Sequence, residues 1–172
     1  SKRTEKVTGQ NYLGVDVAHM GRDDSVLFGI TNHYGTLYQH SLTITNKTRT
    51  TETVRLILNE DQRHNYKKIY IDDGGMGVGV FDPLLEHTQT RRKVIPINNS
   101  SRSIDNDRDE GRRKKLLKED LYNNLLTIME QGKLKLWEDP DVALSLKSIQ
   151  VEYTDAGKMK IFGNYTHITE AL

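Results

Sequence analysis

The sequence predicts an α/β fold built on one mixed sheet, and three observations carry that prediction. Three strand-like stretches joined by short polar turns open the chain, the pattern of an antiparallel meander. From Thr50 onward helical and strand periodicities alternate, which implies parallel crossovers. Two of the strands run into a carboxylate, at Asp16 and Asp72. The expected architecture is a five-stranded sheet, antiparallel in its first three strands and parallel in its fourth and fifth. Helices flank it, and a small β-hairpin follows.

Each element has its own signal. Asn11 to Ala18 alternates apolar and polar residues and reads as the first strand, Ser25 to Thr31 as the second. Asn32-His33-Tyr34-Gly35 is a turn signal, and Thr36 to Thr45 reads as the third strand. Over Thr50 to Asn65, Val54, Ile57, Leu58 and Asp61 share one helical face, with Thr50 or Thr51 placed to cap it. Lys67 to Asp72 is the fourth strand, Val80 to Thr88 a helix, and Lys93 to Ile97 the fifth strand. Asn98 to Glu110 has almost nothing apolar and is expected to be a long mobile loop. Gly111 to Gln131 is a helix with Leu117, Leu121, Leu125, Ile128 and Met129 as its buried stripe, ended by Gly132. Lys133 to Trp137 is a short extended piece, and Asp139-Pro140 opens another helix. Gln150 to Tyr153 and Lys158 to Phe162 form the hairpin, and Tyr165 to Leu172 begins a last helix.

The bulk composition narrows the function classes. The 172 residues suit one domain. A net charge of +1 gives no overall field toward polyanions, so nucleic-acid binding has to come from local patches. There is no Cys, which excludes a disulfide framework, a zinc-thiolate site and a thiol nucleophile. No apolar run approaches a membrane span, and Ser1 to Thr8 is too polar for a signal peptide. The chain stops at Leu172 within a helical pattern, so an excised domain is expected, with residues 1–10 a frayed lead-in or linker from a preceding domain.

Asp16 and Asp72 carry the chemical argument. On neighbouring parallel strands both emerge at the carboxyl edge of the sheet, where open α/β sheets build their sites. Two acids converging there repel each other, which raises at least one pKa, and a divalent cation resolves the repulsion. Each acid alone reads equally well as a cap at a strand end. On the last helix His167 and Glu170 are three apart and share a face. Placed over the carboxyl edge, they would reach the same point; otherwise they are ordinary surface residues.

Gly74, Gly75, Gly77 and Gly79 follow the fourth strand without the dinucleotide fingerprint or a Walker A lysine. They allow a tight turn beside Asp72, and the bare backbone at Gly74, Gly75 and Gly77 would let a polyanion approach. Arg91, Arg92 and Lys93 precede the fifth strand, away from the acids, and read as a solvated face. Arg112, Arg113, Lys114, Lys115 and Lys118 follow that strand's exit, on the acid edge, and are candidates for gripping phosphates; a charged outer helix face explains them equally well. Lys158 and Lys160 on the hairpin could reach a duplex or simply protect a sheet edge. Neither a Gly-x-Ser-x-Gly elbow nor a His-Glu-x-x-His motif is present, so serine-hydrolase and zinc-protease chemistry has no support.

These pieces, in this order, resemble the nuclease domain of the large terminase subunit of tailed bacteriophages. The matching stretches are Gly14-Val-Asp-Val-Ala with Asp23-Asp-Ser, Ile71-Asp-Asp-Gly-Gly-Met-Gly-Val-Gly-Val-Phe-Asp, and Tyr165-Thr-His-Ile-Thr-Glu-Ala-Leu. Lys118-Glu-Asp-Leu-Tyr-Asn-Asn-Leu and Gly132-Lys-Leu are also similar, so the resemblance spans nearly the whole chain. It implies an RNase H-like fold and a metal-dependent endonuclease that cuts concatemeric viral DNA during packaging. It implies that Asp16 and Asp72 are metal ligands. At the third position this chain carries His167 where many relatives carry Asp, followed by Glu170; a subset of the family is similar in having His there. Imidazole is a poor Mg²⁺ ligand, so Mn²⁺ is favoured over Mg²⁺.

The resemblance implies two cations about 4 Å apart, bridged by Asp16, with Asp72 on one and His167 or Glu170 on the other. It implies double-stranded DNA as substrate, with the ATPase domain of the same subunit, the portal and the small terminase subunit as partners. The setting would be the cytoplasm of an infected bacterium, at the procapsid portal, and the isolated domain would be a monomer. Three rivals stay open. The acids could be structural in a non-catalytic DNA-binding or motor-docking module. The glycine loop could serve a nucleotide or phosphate-ester enzyme. The chain could be another RNase H-like nuclease, such as a junction resolvase.

Overall fold

The computed structural model describes residues 7–18, 24–72, 79–97, 108–153, 159–162 and 167–172; at 108–118, 151–153, 159–162 and 167 it describes the backbone alone. Three strands, β1 (Gln10–Asp16), β2 (Asp24–His33) and β3 (Thr36–Asn46), form the antiparallel meander. Helix α1 (Thr50–His64) crosses to β4 (Lys68–Asp72), which pairs parallel to β1, and α2 (Phe81–Glu86) leads to β5 (Val94–Pro96), parallel to β4. Helix α3 (Arg108–Glu130), the short β6 (Leu134–Lys135) and α4 (Pro140–Ser148) follow. The hairpin β7 (Gln150–Tyr153) and β8 (Met159–Phe162) stands as a separate two-stranded sheet, and α5 (His167–Ala171) comes last.

The main sheet has six strands in the order β5-β4-β1-β2-β3-β6, one more than the sequence predicts. The added strand is part of the extended piece after Gly132, which pairs parallel to β3 at Leu37 and Tyr38. Two residues are too few to show a period, so sequence alone does not separate such a strand from a loop. Three further expectations change. Helix α3 begins at Arg108, inside the stretch read as loop, while residues 98–107 lie outside the described residues. Helix α1 has Arg49 at its N-cap with no side-chain bond, so neither threonine caps it. Lys93 is no solvated cation: its Nζ donates to both Asp61 carboxylate oxygens at 2.9 and 3.0 Å.

Alternation along the strands gives the two sheet faces different tasks. Leu13 and Val15 of β1, Ile69 and Ile71 of β4, and Leu27 of β2 face α1 and α2, where Ile57 and Leu84 are fully buried. The residues between them, Gly14 and Asp16, Asp72, Val26 and Phe28, face the other way. There Phe28 packs with Val142 of α4 and with Ile168 and Ala171 of α5. Asp139 caps α4 by accepting from the Asp141 amide at 2.8 Å. Gly132, at φ 66, closes α3, and the Lys133 amide donates to the Ile128 carbonyl at 3.0 Å.

Candidate functional site

Asp16 and Asp72 are direct partners in the β1–β4 register. Paired residues of neighbouring strands lie about 4.8 Å apart and send their side chains to the same face. Both side chains therefore leave the same face at the carboxyl edge, and each residue is only 7% exposed. One further bond holds the two strand ends together: the Val17 amide donates to the Asp72 carbonyl at 2.8 Å.

Helix α5 is brought to this edge by two contacts. A side chain at Gly14 would put a Cβ 1.7 Å from the Ala171 carbonyl oxygen, so only glycine lets α5 lie against β1, one pleat before Asp16. On the other side Thr169 is buried, its amide donating to Ser145 Oγ at 3.1 Å and its hydroxyl 2.8 Å from the same oxygen. Glu170, half-buried between these anchors, belongs to the same turn as His167, which opens the helix.

Helix α3 roofs this face across a cavity of about 440 Å³. Leu125 and Ile128 contribute apolar wall, and Asp72, Glu170 and Tyr122 contribute polar wall. The helix crosses from the acid edge to the opposite edge. Tyr122 feels the acids at one end, while the turn after Ile128 leads into β6 beside the start of β3. Because α3 stands over a cavity, its predicted buried stripe is only partly covered. Leu121 is 38% and Met129 40% exposed, while Leu125 and Ile128 are half-buried.

Tyr122 was not singled out by sequence reasoning. Its phenol is raised above its ordinary pKa, first by burial and then by the Glu170, Asp16 and Asp72 carboxylates, in that order. The same hydroxyl thus lies within electrostatic reach of all three acids. The sequence signal was a tyrosine three residues before Leu125, on the inward side of a helix, where a phenol needs a polar neighbour.

The donor set suits a hard divalent cation, since buried paired carboxylates offer oxygen ligands. Among the described residues no three His, Cys, Asp or Glu side chains stand close enough to hold an ion. A third ligand therefore has to come from His167, whose backbone alone is described, or from a shift of Glu170.

The remaining predicted residues fall in three groups. Arg112, Arg113, Lys114, Lys115 and Lys118 lie on α3 upstream of Tyr122. Lys118 precedes it by one turn, and Arg112 by about 15 Å of helix. Lys160 is on β8, in register with Glu152. Lys158, Gly74, Gly75 and Gly77 lie outside the described residues.

The fold is RNase H-like. It is similar to the large terminase nuclease of thermophilic phage G20c, with 15% identity over 94% of this chain and 78% of that one, at a TM-score of 0.69. The G20c nuclease with bound cobalt matches at 18% identity, over 94% of this chain and 77% of that one, with a TM-score of 0.66. The nuclease domain of the Thermus phage P74-26 large terminase matches at 15% identity, over 94% of this chain and 75% of that one, with a TM-score of 0.64. The fold is thus that of phage large-terminase nuclease domains. A large terminase from another thermophilic bacteriophage matches over 98% of this chain but only 39% of its own length. No protein-family profile matches the chain, and no curated protein does. Among the described residues no helix is long and apolar enough to cross a membrane.

Proposed function

We propose that this chain is a metal-dependent DNA endonuclease domain of the phage large-terminase type, cutting concatemeric double-stranded viral DNA during genome packaging. The observation that carries the reading is the register of Asp16 with Asp72 at the buried carboxyl edge. The likeness to nucleases solved with cobalt and with magnesium bound supports it.

Asp16 is the ligand shared by two divalent cations, Asp72 holds one of them, and His167 or Glu170 completes the other. When bound, the cations supply positive charge beside the scissile phosphate and lower the pKa of the attacking water. The imidazole of His167 favours Mn²⁺ over Mg²⁺. The basic stretch from Arg112 to Lys118 begins one turn from Tyr122, and it runs outward along the helix, where a duplex over the acids would pass. Its cations grip backbone phosphates and make binding salt-dependent. Gly74, Gly75 and Gly77 leave room for the sugar-phosphate chain, and Lys158 and Lys160 extend the grip on the hairpin. The ATPase domain of a complete subunit, the portal and the small subunit are the expected partners, in the cytoplasm of an infected cell.

The test is plasmid cleavage with Mn²⁺ or Mg²⁺. Asp16→Asn and Asp72→Asn each reduce cutting at least about 100-fold, and chelator abolishes it. The variants' melting temperatures stay at or above that of the parent, because each change relieves carboxylate repulsion. Full cutting by either folded variant would refute the assignment, as would cleavage that persists in chelator.

A further inference from the structure

Tyr122 is out of keeping with the wall it belongs to. The other residues on the inward side of this part of α3, Leu125 and Ile128, are aliphatic and face the apolar end of the cavity. Tyr122 instead brings a hydroxyl to the end that holds Asp72 and Glu170, and that hydroxyl oxygen is shielded from solvent. A phenol buried there costs stability unless its proton has an acceptor. Ionised carboxylates only accept, whereas a neutral phenol has one proton to give. Of the three acids within reach, Glu170 acts most strongly on the ring.

We infer that Tyr122 is a positioning residue of the acid cluster, its O–H donating to the Glu170 carboxylate and fixing how that side chain faces the cation space beside Asp16 and Asp72. The inference rests on the metal-centre reading above. It gives α3 a second task beyond covering the sheet. The helix that carries the basic stretch also sets the orientation of an acid on α5, so the docking of α3 is coupled to the geometry of the metal centre. Metal ligands depend on such outer hydrogen bonds, and removing one costs about 10-fold in metal affinity.

The test uses Tyr122→Phe, which keeps the ring and removes only the donor. Mn²⁺ binding to the metal-free protein is measured by calorimetry, with the melting temperature recorded on the same samples. The expected result is Mn²⁺ affinity about 10-fold weaker with a melting temperature close to that of the parent. Unchanged affinity in the folded variant overturns the inference, whatever happens to stability, since a merely structural tyrosine would lower melting and leave binding alone. A double-mutant cycle adds a second criterion. In a Glu170→Gln background Tyr122→Phe has little further effect if it acts through Glu170, and a full additional loss overturns that route. Asp72→Asn separates the two readings. If it abolishes Mn²⁺ binding while Tyr122→Phe does nothing, only the tyrosine assignment falls. If it leaves binding intact, the metal centre falls and the tyrosine role falls with it.

Discussion

The two faces of one sheet are built to opposite standards. Toward α1 the packing is closed: Leu13, Ile57, Ile69 and Leu84 are fully buried, and the polar groups at the helix end are drawn into a network around Asp61. That carboxylate accepts from Lys93, from Gln89 Nε2 at 2.9 Å and from the Tyr66 amide at 2.9 Å. Toward α3 the packing is open: a cavity separates helix from sheet, and its polar end holds acids. Apolar burial stabilises the first face, while the second trades packing for room beside charged groups. The lesson is that stability and chemistry sit on alternate residues of the same strands, Leu13 and Val15 against Gly14 and Asp16.

Substitutions can break this contrast in order of expected effect. Ile57→Ala empties a site on the closed face and costs about 3 kcal/mol, read as a denaturation midpoint. Leu125→Ala, beside an existing cavity, costs about 1 kcal/mol by the same measurement, because less close packing is lost. Equal losses would mean that the two faces are equally packed. Gly14→Ala drives a methyl into the Ala171 carbonyl and displaces α5. Cleavage falls about 100-fold, as misplacement by an ångström does in active sites, while amide exchange in the strand residues facing α1 is preserved.

The smallest effect is a pH dependence located on the closed side. His40 lies between Thr31 Oγ1 and Tyr66 Oη, each 3.0 Å away, and its ring stacks at 4.4 Å on His64. Burial, then the His64 charge, lowers its pKa from 6.5 to about 4. As pH falls through this window the unfolded chain takes up the proton first, so stability is full above 6.5 and declines toward 4. Discounted for partial solvent contact, the decline is about 1 kcal/mol. His40→Gln flattens this part of the stability–pH curve relative to the parent, a difference read from chemical denaturation between pH 7 and about 4.5.

Much of this was legible in the sequence where the signal was local. The β-branched runs ending at Asp16 and Asp72, the Asp139-Pro140 start of α4 and the Gly132 stop of α3 all follow from neighbouring residues. What escaped depends on distance. Lys93 read as solvated because Asp61, its partner, is 32 residues away. The β6 pairing is visible only once β3 is in place. Tyr122 looked like one more core residue until the fold brought α5 and two strand ends beside it. The expected stripe of α3 was placed correctly along the helix, but sequence periodicity does not report how closely a helix approaches its sheet.

Helix α5 has five residues, too few to persist in water by itself. Its shape is lent to it by Gly14 and Ser145. His167 and Glu170 are therefore presented only while that small latch is closed, and the latch can open without disturbing the strands that carry Asp16 and Asp72. Competence to cut is then a local, reversible equilibrium laid over a sheet that stays intact, and anything that presses α5 home acts as an on-switch.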